Sequence, residues 1–252
     1  METPYASGSG DGAITADGCP VELYRRLSAG GEIDLIEALA PAGGSILDLG
    51  AGAGRLANPL SAAGFVVTAV DQSAEMLAEI RGGARRVRST IEALDLGAAF
   101  DVVLLASYLL NTPALESRSA LLATCARHLK RDGAAMIQVR GPAILRDLSG
   151  YEREAEGIRD WVEAYRRDGP VVTMTVRTEC EGRRWLQTFS QRYLEEPDLR
   201  RELAAEGLQF DRWLDDPPEW FVARCANPPA PGRRRGSAGR RNSRAPARSR
   251  RT

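Results

Sequence analysis

The sequence predicts an α/β fold: a doubly wound, mostly parallel sheet of seven strands, with an antiparallel last strand and an inserted hairpin or lid after the fifth strand. The main observation is that short apolar runs alternate with helical patterns between residues 45 and 139. Such alternation is typical of βαβ units, whose right-handed crossovers place helices on the faces of a parallel sheet. The five runs that we expect to be parallel strands are Ile46–Leu49, Val66–Val70, Arg86–Ser89, Asp101–Ala106 and Ala134–Val139.

Helical patterns occupy the gaps between these runs. We expect helices over Arg55–Ala63, Ala74–Arg81 and Leu115–Lys130. The last of them is expected to end in the turn that closes at Gly133, because a glycine in the left-handed conformation follows many helices.

Beyond the fifth strand the pattern changes. Residues 141–170 are charged and interrupt the alternation, which predicts an insertion after the fifth strand that could act as a lid. Residues 171–179 and 184–193 alternate with period two around Glu181-Gly182, which predicts an antiparallel hairpin. The remaining pattern predicts a helix and two final strands, one of which is antiparallel to its neighbours: Pro197–Glu206, Phe210–Leu214 and Trp220–Cys225.

These elements form one domain, in line with a chain of 252 residues. We assign residues 20–226 to the domain and expect residues 141–195 to recognise the substrate. Residues 1–19 are rich in Gly, Ser, Asp and Ala and predict a flexible leader, which a short helix over Val21–Leu27 ends. Residues 227–252 combine Pro, Gly, Ser and Arg and predict a disordered tail.

Charge is distributed unevenly along the chain. The tail carries nine arginines and no acid, which leaves 25 basic and 34 acidic residues in the remainder. An acidic body does not suit the phosphate backbone of a nucleic acid. The four cysteines show neither a CxxC pair nor a histidine cluster, so we expect no metal site and no disulfide framework. No apolar run reaches the roughly 20 residues of a membrane span, and no signal pattern opens the chain, so we expect a cytoplasmic location.

The segment from Ile46 to Leu56 carries the functional signal. It is a buried strand, a glycine turn and a helix start in direct succession. Glycines permit close approach of backbone to a ligand, and a helix N-terminus offers free N–H donors. Asp71 follows at the end of the next strand, where a carboxylate can accept both hydroxyls of a ribose.

The spacing of this turn separates two kinds of nucleotide site. A dinucleotide fingerprint, G-x-G-x-x-G, would place glycine at position 55, where the chain has Arg55. The observed G-x-G-x-G of Gly50, Gly52 and Gly54, with Asp48 in the strand before it, resembles the class I S-adenosylmethionine-dependent methyltransferase family over roughly residues 21–226. The resemblance implies a Rossmann-like sheet and S-adenosylmethionine as cofactor, with S-adenosylhomocysteine as product.

The resemblance also implies roles for single residues around the cofactor. Asp48, Gly50 and Gly52 would line the site of the methionine part, and Asp71 would hold the ribose. The residues implied at the adenine or above the cofactor are Gln72, Met76, Ile91, Glu92 and Tyr24.

Ser107 and Tyr108 follow the fourth strand and, by the same resemblance, would face the sulfonium and the methyl acceptor. Methyl transfer from a sulfonium is an in-line displacement, so positioning is the main requirement and a dedicated base is optional. His128, the single histidine, lies near the end of a helix, where a cation favours the helix dipole, and we interpret it as structural.

The acceptor stays open at this point. An insertion with a hairpin resembles those of family members that methylate small metabolites, including natural-product intermediates, on nitrogen or oxygen. One alternative is a methyltransferase for RNA or DNA that uses the arginine tail, although Asn111-Thr112-Pro113 lacks the signature of target-base amine methylation. A non-catalytic S-adenosylmethionine-binding protein is another, and an NAD-dependent oxidoreductase is disfavoured by Arg55. We expect a monomer or homodimer without a membrane partner.

Overall fold

The computed structural model describes residues 6–141, 148 and 150–226, which form two β-sheets and six α-helices. The predicted tail over residues 227–252 lies outside the described residues. The strands are β1 (Ala6–Gly10), β2 (Ser45–Leu49), β3 (Val66–Asp71), β4 (Arg85–Arg88), β5 (Phe100–Leu105), β6 (Leu129–Gln138), β7 (Glu152–Ala155), β8 (Ile158–Asp168), β9 (Val171–Cys180), β10 (Arg183–Arg192), β11 (Leu208–Trp213) and β12 (Trp220–Cys225). The helices are α1 (Val21–Tyr24), α2 (Glu32–Leu39), α3 (Ala57–Ala62), α4 (Ala74–Glu79), α5 (Leu115–His128) and α6 (Glu196–Ala205). No helix of the described part is long and apolar enough to cross a membrane.

The larger sheet has seven strands in the order β11-β12-β6-β5-β2-β3-β4. Strands β2 to β6 pair in parallel, and β12 pairs antiparallel with β6 and with β11. This confirms the predicted doubly wound α/β fold and its antiparallel end. From β2 the chain continues to β3 and β4 on one side and later to β5 and β6 on the other side, so the order of the strands reverses at β2. Such a reversal opens a crevice at the carboxyl ends of the strands, which is where ligands bind in sheets of this kind.

Two apolar layers hold helices to the faces of this sheet. One layer joins β5 and β6 to α5 and α6 around Leu105, Leu122 and Leu203, and the other joins β2 and β3 to α2 and α3 around Ile46 and Leu60. All five of these side chains are fully buried. Strands covered on both faces become continuous apolar runs, which explains why the parallel strands could be found in the sequence.

One helix boundary differs from its prediction. Helix α5 ends at His128, and the segment expected to be a glycine-terminated turn belongs to β6. The chain becomes extended at Leu129 because that residue pairs with Phe100 of β5 and buries its side chain in the core. Tertiary packing therefore overrides the local glycine signal at Gly133.

The smaller sheet has five antiparallel strands in the order β1-β10-β9-β8-β7. The β9–β10 hairpin confirms the prediction. The described part of the predicted insertion, residues 141–170, contributes two further strands to this sheet, β7 and β8. Its charged residues alternate with half-buried ones over only part of β8, because a bulge between Val162 and Ala164 shifts the register against β9.

The prediction of a flexible leader is wrong for residues 6–19. Strand β1 pairs with β10 over five residues, from Ala6 opposite Phe189 to Gly10 opposite Trp185. A Cβ atom added at Gly8 would lie 2.0 Å from the Gly18 backbone, and one added at Gly18 would lie 2.2 Å from the Ser7 backbone. The two segments can therefore pack this closely only because both positions are glycine. The small residues that suggested disorder are the ones that this contact requires.

A buried ion pair fixes α5 against α6. The Arg118 guanidinium donates Nε and Nη2 to the two carboxylate oxygens of Glu202, at 2.8 and 2.9 Å, and donates Nη1 to the carbonyl oxygens of Thr112 and Pro113. The two side chains are 4% and 8% exposed. Removing one partner would leave a buried, uncompensated charge.

We therefore predict that Glu202→Gln lowers the free energy of unfolding by about 3 kcal/mol or more. The double variant Arg118→Met/Glu202→Met should lower it by less, because it leaves no buried charge without a partner. Urea denaturation measures both. Asp198→Asn, which breaks an exposed ion pair with Arg201 on the same helix, is the matched control and should change stability by less than about 1 kcal/mol. A double variant less stable than Glu202→Gln would contradict this account.

Candidate functional site at the carboxyl ends of the parallel strands

The glycine turn after β2 is tied to the neighbouring strand. The backbone N–H groups of Gly50 and Ala51 both donate to the carbonyl oxygen of Val70, each at 2.9 Å. Gly50 and Gly52 have φ values of +73° and +56°, which glycine adopts without a steric penalty. A Cβ added at Gly52 would lie 3.7 Å from the Tyr24 ring. The turn therefore presents bare backbone towards Tyr24.

The donors of this turn differ from the expectation. The sequence predicts free N–H groups for an anionic ligand, but the amides of residues 50–52 are already bonded to Val70 and Asp71. Helix α3 begins only at Ala57, after further turn residues. The turn therefore offers a ligand bare backbone that it can approach closely, but it does not offer a row of free amides.

Asp48 points a carboxylate towards this turn from inside β2. It is 2% exposed, and its Oδ2 atom is buried without a hydrogen-bond partner among the described residues. Burial raises the pKa of Asp48 to about 7, and the nearby Asp71 carboxylate adds to the rise while Arg55 opposes it. An orphaned carboxylate oxygen beside a glycine turn fits a ligand that carries hydrogen-bond donors or a positive charge.

Asp71 ends β3 and clamps two loops together. Its Oδ2 accepts from Gly52 N and its Oδ1 from Ser73 N, each at 2.9 Å. Burial raises the pKa of Asp71, although these backbone hydrogen bonds oppose the rise. Each oxygen keeps a lone pair, so the carboxylate can still accept the two hydroxyls expected of a ribose.

The N-terminal segment covers this end of the crevice. Tyr24 of α1 accepts a hydrogen bond from Cys19 Sγ at 3.4 Å, and both pack in one cluster with Ala53 and the buried Met76. Burial raises the pKa of Tyr24 well above its usual value. The structure thus brings Tyr24 and Met76 into one cluster with Ala53 of the glycine turn.

The other residues implied at the adenine lie along the same edge but differ in exposure. Ile91 is half-buried, and its side chain comes within 3.6 Å of a Cβ added at Gly50. Gln72 and Glu92 are exposed. The Gln72 carbonyl accepts from Arg88 at 3.2 Å, so its backbone is fixed while its side chain is free to solvent.

Ser107 and Tyr108 lie after β5 in left-handed conformations, with φ values of +55° and +59°. Two successive residues of this kind are rare outside glycine, and backbone strain of this kind gathers at functional sites. Gln138 of β6 holds the turn, since its Oε1 accepts from Ser107 N at 2.9 Å. The turn is exposed at Ser107 and half-buried at Tyr108.

The sequence does not predict the neighbours of Tyr108. Its hydroxyl donates to Glu219 Oε2 at 2.8 Å, and the Arg140 guanidinium lies 4.1 Å from its ring centroid. Burial raises the pKa of Tyr108 to about 12, with Arg140 opposing the rise and Glu219 adding to it. Glu219 reaches Tyr108 because Val139 at the end of β6 donates its N–H to the Glu219 carbonyl. The sequence offers one indication that polar contacts occur here: Gln138 is a polar residue within the otherwise apolar end of β6.

His128 is structural, as predicted. It is 1% exposed, its Nδ1 bonds to the Thr124 carbonyl at 2.9 Å, and its Nε2 accepts from Leu96 N at 3.1 Å. Both ring nitrogens are therefore engaged by backbone groups. The part of the chain that the structure describes also contains no cluster of three His, Cys, Asp or Glu side chains that could hold a metal ion.

The buried Asp48 should make stability depend on pH. Its pKa is about 7 in the folded protein and 3.8 in its ordinary state, so the folded state binds the proton more tightly and stability falls as the pH rises through this interval. Relative to Asp48→Asn, we predict that the wild type loses roughly 2–3 kcal/mol of unfolding free energy between pH 5 and pH 8. Urea denaturation at several pH values measures the difference.

Asp101→Asn is the control for that series. Hydrogen bonds from Ser45 and Lys130 lower the pKa of Asp101 to about 2, so its difference from the wild type should stay constant over the same interval. A wild type and an Asp48→Asn variant with parallel pH profiles would contradict the assignment of a buried, protonatable Asp48.

Comparison with known proteins shows what the segment that carries this site is similar to. The family model described as a methyltransferase domain matches residues 47–137, which run from β2 to the end of β6. A ubiquinone biosynthesis O-methyltransferase of Rickettsia conorii is 34% identical over 99 residues, which cover 36% of this chain. The matched segment spans 33% of that enzyme's length.

Solved structures extend the likeness to most of the chain. A S-adenosylmethionine-dependent methyltransferase from Clostridium acetobutylicum superposes with a TM-score of 0.64 at 18% identity, covering 81% of this chain and 92% of its own. CalS10 from Micromonospora echinaspora, an amino pentose methyltransferase with S-adenosylmethionine bound, gives 0.63 at 23% identity, covering 80% and 94%. At these identities the superpositions establish a shared fold. The comparisons therefore show a methyltransferase-domain match over residues 47–137, within a fold that this chain shares with S-adenosylmethionine-dependent methyltransferases.

Proposed function

We propose that the protein transfers a methyl group from S-adenosylmethionine to nitrogen or oxygen of a small-molecule acceptor. The observation that carries the proposal is the pair of carboxylates at the reversal point of the sheet, Asp48 with its orphaned oxygen and Asp71 beside the glycine turn. The bound cofactor supplies an electrophilic methyl group on a sulfonium.

The residues of this chain would divide the work of holding that cofactor. Asp71 would accept the ribose hydroxyls, and Asp48 would face the charged methionine end across the turn. Gly52 would leave room for the cofactor beside Tyr24, whereas a Cβ at Gly50 would lie 2.6 Å from the Leu109 side chain, so glycine there allows Leu109 to pack against the turn. Tyr24 and Met76 would exclude water from above, since they already pack together over the turn.

The acceptor side favours a small molecule. One face of β10 covers the crevice: Trp185 packs against Leu23 and Tyr24, Gln187 donates to the Gly18 carbonyl at 3.2 Å, and Gln191 accepts from Arg140 at 3.1 Å. A crevice covered along its length by the smaller sheet suits a compact metabolite better than a polymer. The shared fold with an enzyme for an amino pentose supports this class of acceptor.

The cofactor assignment can be tested without knowing the acceptor. We predict that S-adenosylhomocysteine binds the wild type and that Asp71→Asn weakens binding roughly 10- to 100-fold, because a charged hydrogen-bond acceptor is lost. Isothermal titration calorimetry measures both dissociation constants.

Asp95→Asn is a matched control for this experiment. Asp95 is an exposed aspartate that accepts from the N–H two residues ahead, as Asp71 does, but it lies outside the crevice. Its variant should bind like the wild type. The proposal fails if the folded wild type does not bind S-adenosylhomocysteine, or if Asp71→Asn and Asp95→Asn bind equally well.

A further inference from the structure

Arg140 is a cation that lies directly against Tyr108, one of the two residues predicted to face the methyl acceptor. It follows β6, two residues after Gln138, and its guanidinium lies over the Tyr108 ring. One of its nitrogens, Nη1, donates to the neutral Gln191 side chain at 3.1 Å. Within residues 6–141, 148 and 150–226 it forms no ion pair, in contrast to Arg118 with its bidentate carboxylate.

The backbone of Arg140 is held firmly. The buried Asn111 side chain accepts from Arg140 N at 2.8 Å and donates to the Arg140 carbonyl at 3.0 Å. The same Asn111 amide donates to the Arg192 carbonyl at 2.8 Å, which ties the end of β10 to the end of β6. The guanidinium is therefore placed at a rigid junction of the two sheets, below the face of β10 that covers the crevice.

Among the described residues, no carboxylate lies within ion-pair distance of this guanidinium. Glu219, which directly precedes β12, accepts from the Tyr108 hydroxyl instead. A guanidinium has five N–H donors in a planar fork that matches the oxygens of a carboxylate or a phosphate. This half-buried guanidinium, whose partners among the described residues are the neutral side chains of Tyr108 and Gln191, therefore keeps donors to offer to a ligand.

We propose that Arg140, together with Gln191, binds an anionic group of the methyl acceptor, a carboxylate or a phosphate, while the reacting atom lies beside Ser107 and Tyr108. This inference rests on the proposed function. It divides the crevice into a cofactor end at Asp48 and Asp71 and an anion subsite at Arg140. The stacked Tyr108 ring lies against the guanidinium and takes part in setting its position.

The test titrates inorganic phosphate and, separately, malonate into protein saturated with S-adenosylhomocysteine, at constant ionic strength, by calorimetry. The wild type should bind at least one of the two probes, and the stronger probe identifies the phosphate or the carboxylate class. Arg140→Gln should weaken that binding at least tenfold and leave S-adenosylhomocysteine binding unchanged. Arg166→Gln, which removes an exposed arginine of β8, is the control and should behave as the wild type.

Arg140→Lys keeps the charge without the planar fork and should retain part of the anion affinity, which also covers the case that the glutamine variant does not fold. Equal anion binding by the wild type and both Arg140 variants, or no binding of either probe by the wild type, would overturn the inference. Failure of the wild type to bind S-adenosylhomocysteine would instead overturn the proposed function, and anion titration of the protein alone would still test Arg140.

Discussion

The site depends on the hydrogen bonds that fasten the glycine turn to the end of β3. Val70 accepts the amides of Gly50 and Ala51, and Asp71 accepts the amide of Gly52. These bonds use the amides that a helix-terminus model would leave for a ligand, so recognition shifts to carboxylates and bare backbone. The carboxylate that orders the turn is the one that we propose to accept the ribose hydroxyls, so in this proposal the geometry of the turn and the position of the ligand are coupled.

The second constraint is the junction between the two sheets. The buried Asn111 bonds to the backbone of both Arg140 and Arg192, so the carboxyl edge of the parallel sheet and the end of β10 keep a fixed spacing. At the other end of the covering face, Trp185 donates to the Asp11 carbonyl at 2.7 Å and packs on α1. The smaller sheet is thus attached at both ends of the crevice, which fixes the position of the surface that we propose to recognise the acceptor.

Sequence reasoning located the parallel strands, and predicted a cofactor edge, because the signals for both are local. A continuous apolar run, a glycine turn and a terminal Asp71 lie within 26 residues from Ile46. The acceptor edge was less accessible, since Tyr108 meets Glu219 across 111 positions of the chain. Strand β1 was missed for a related reason: its small residues bury little apolar surface, and its order comes from pairing with β10 and from the contact of Gly8 with Gly18.

The most direct test of the central claim is a crystal structure of the complex with S-adenosylhomocysteine. The account predicts ribose hydroxyls on the Asp71 carboxylate, the amino-acid end beside Asp48 and the sulfur between the glycine turn and Ser107. Ligand density away from these residues, such as in the groove of the smaller sheet between Arg159 and Arg184, would contradict it.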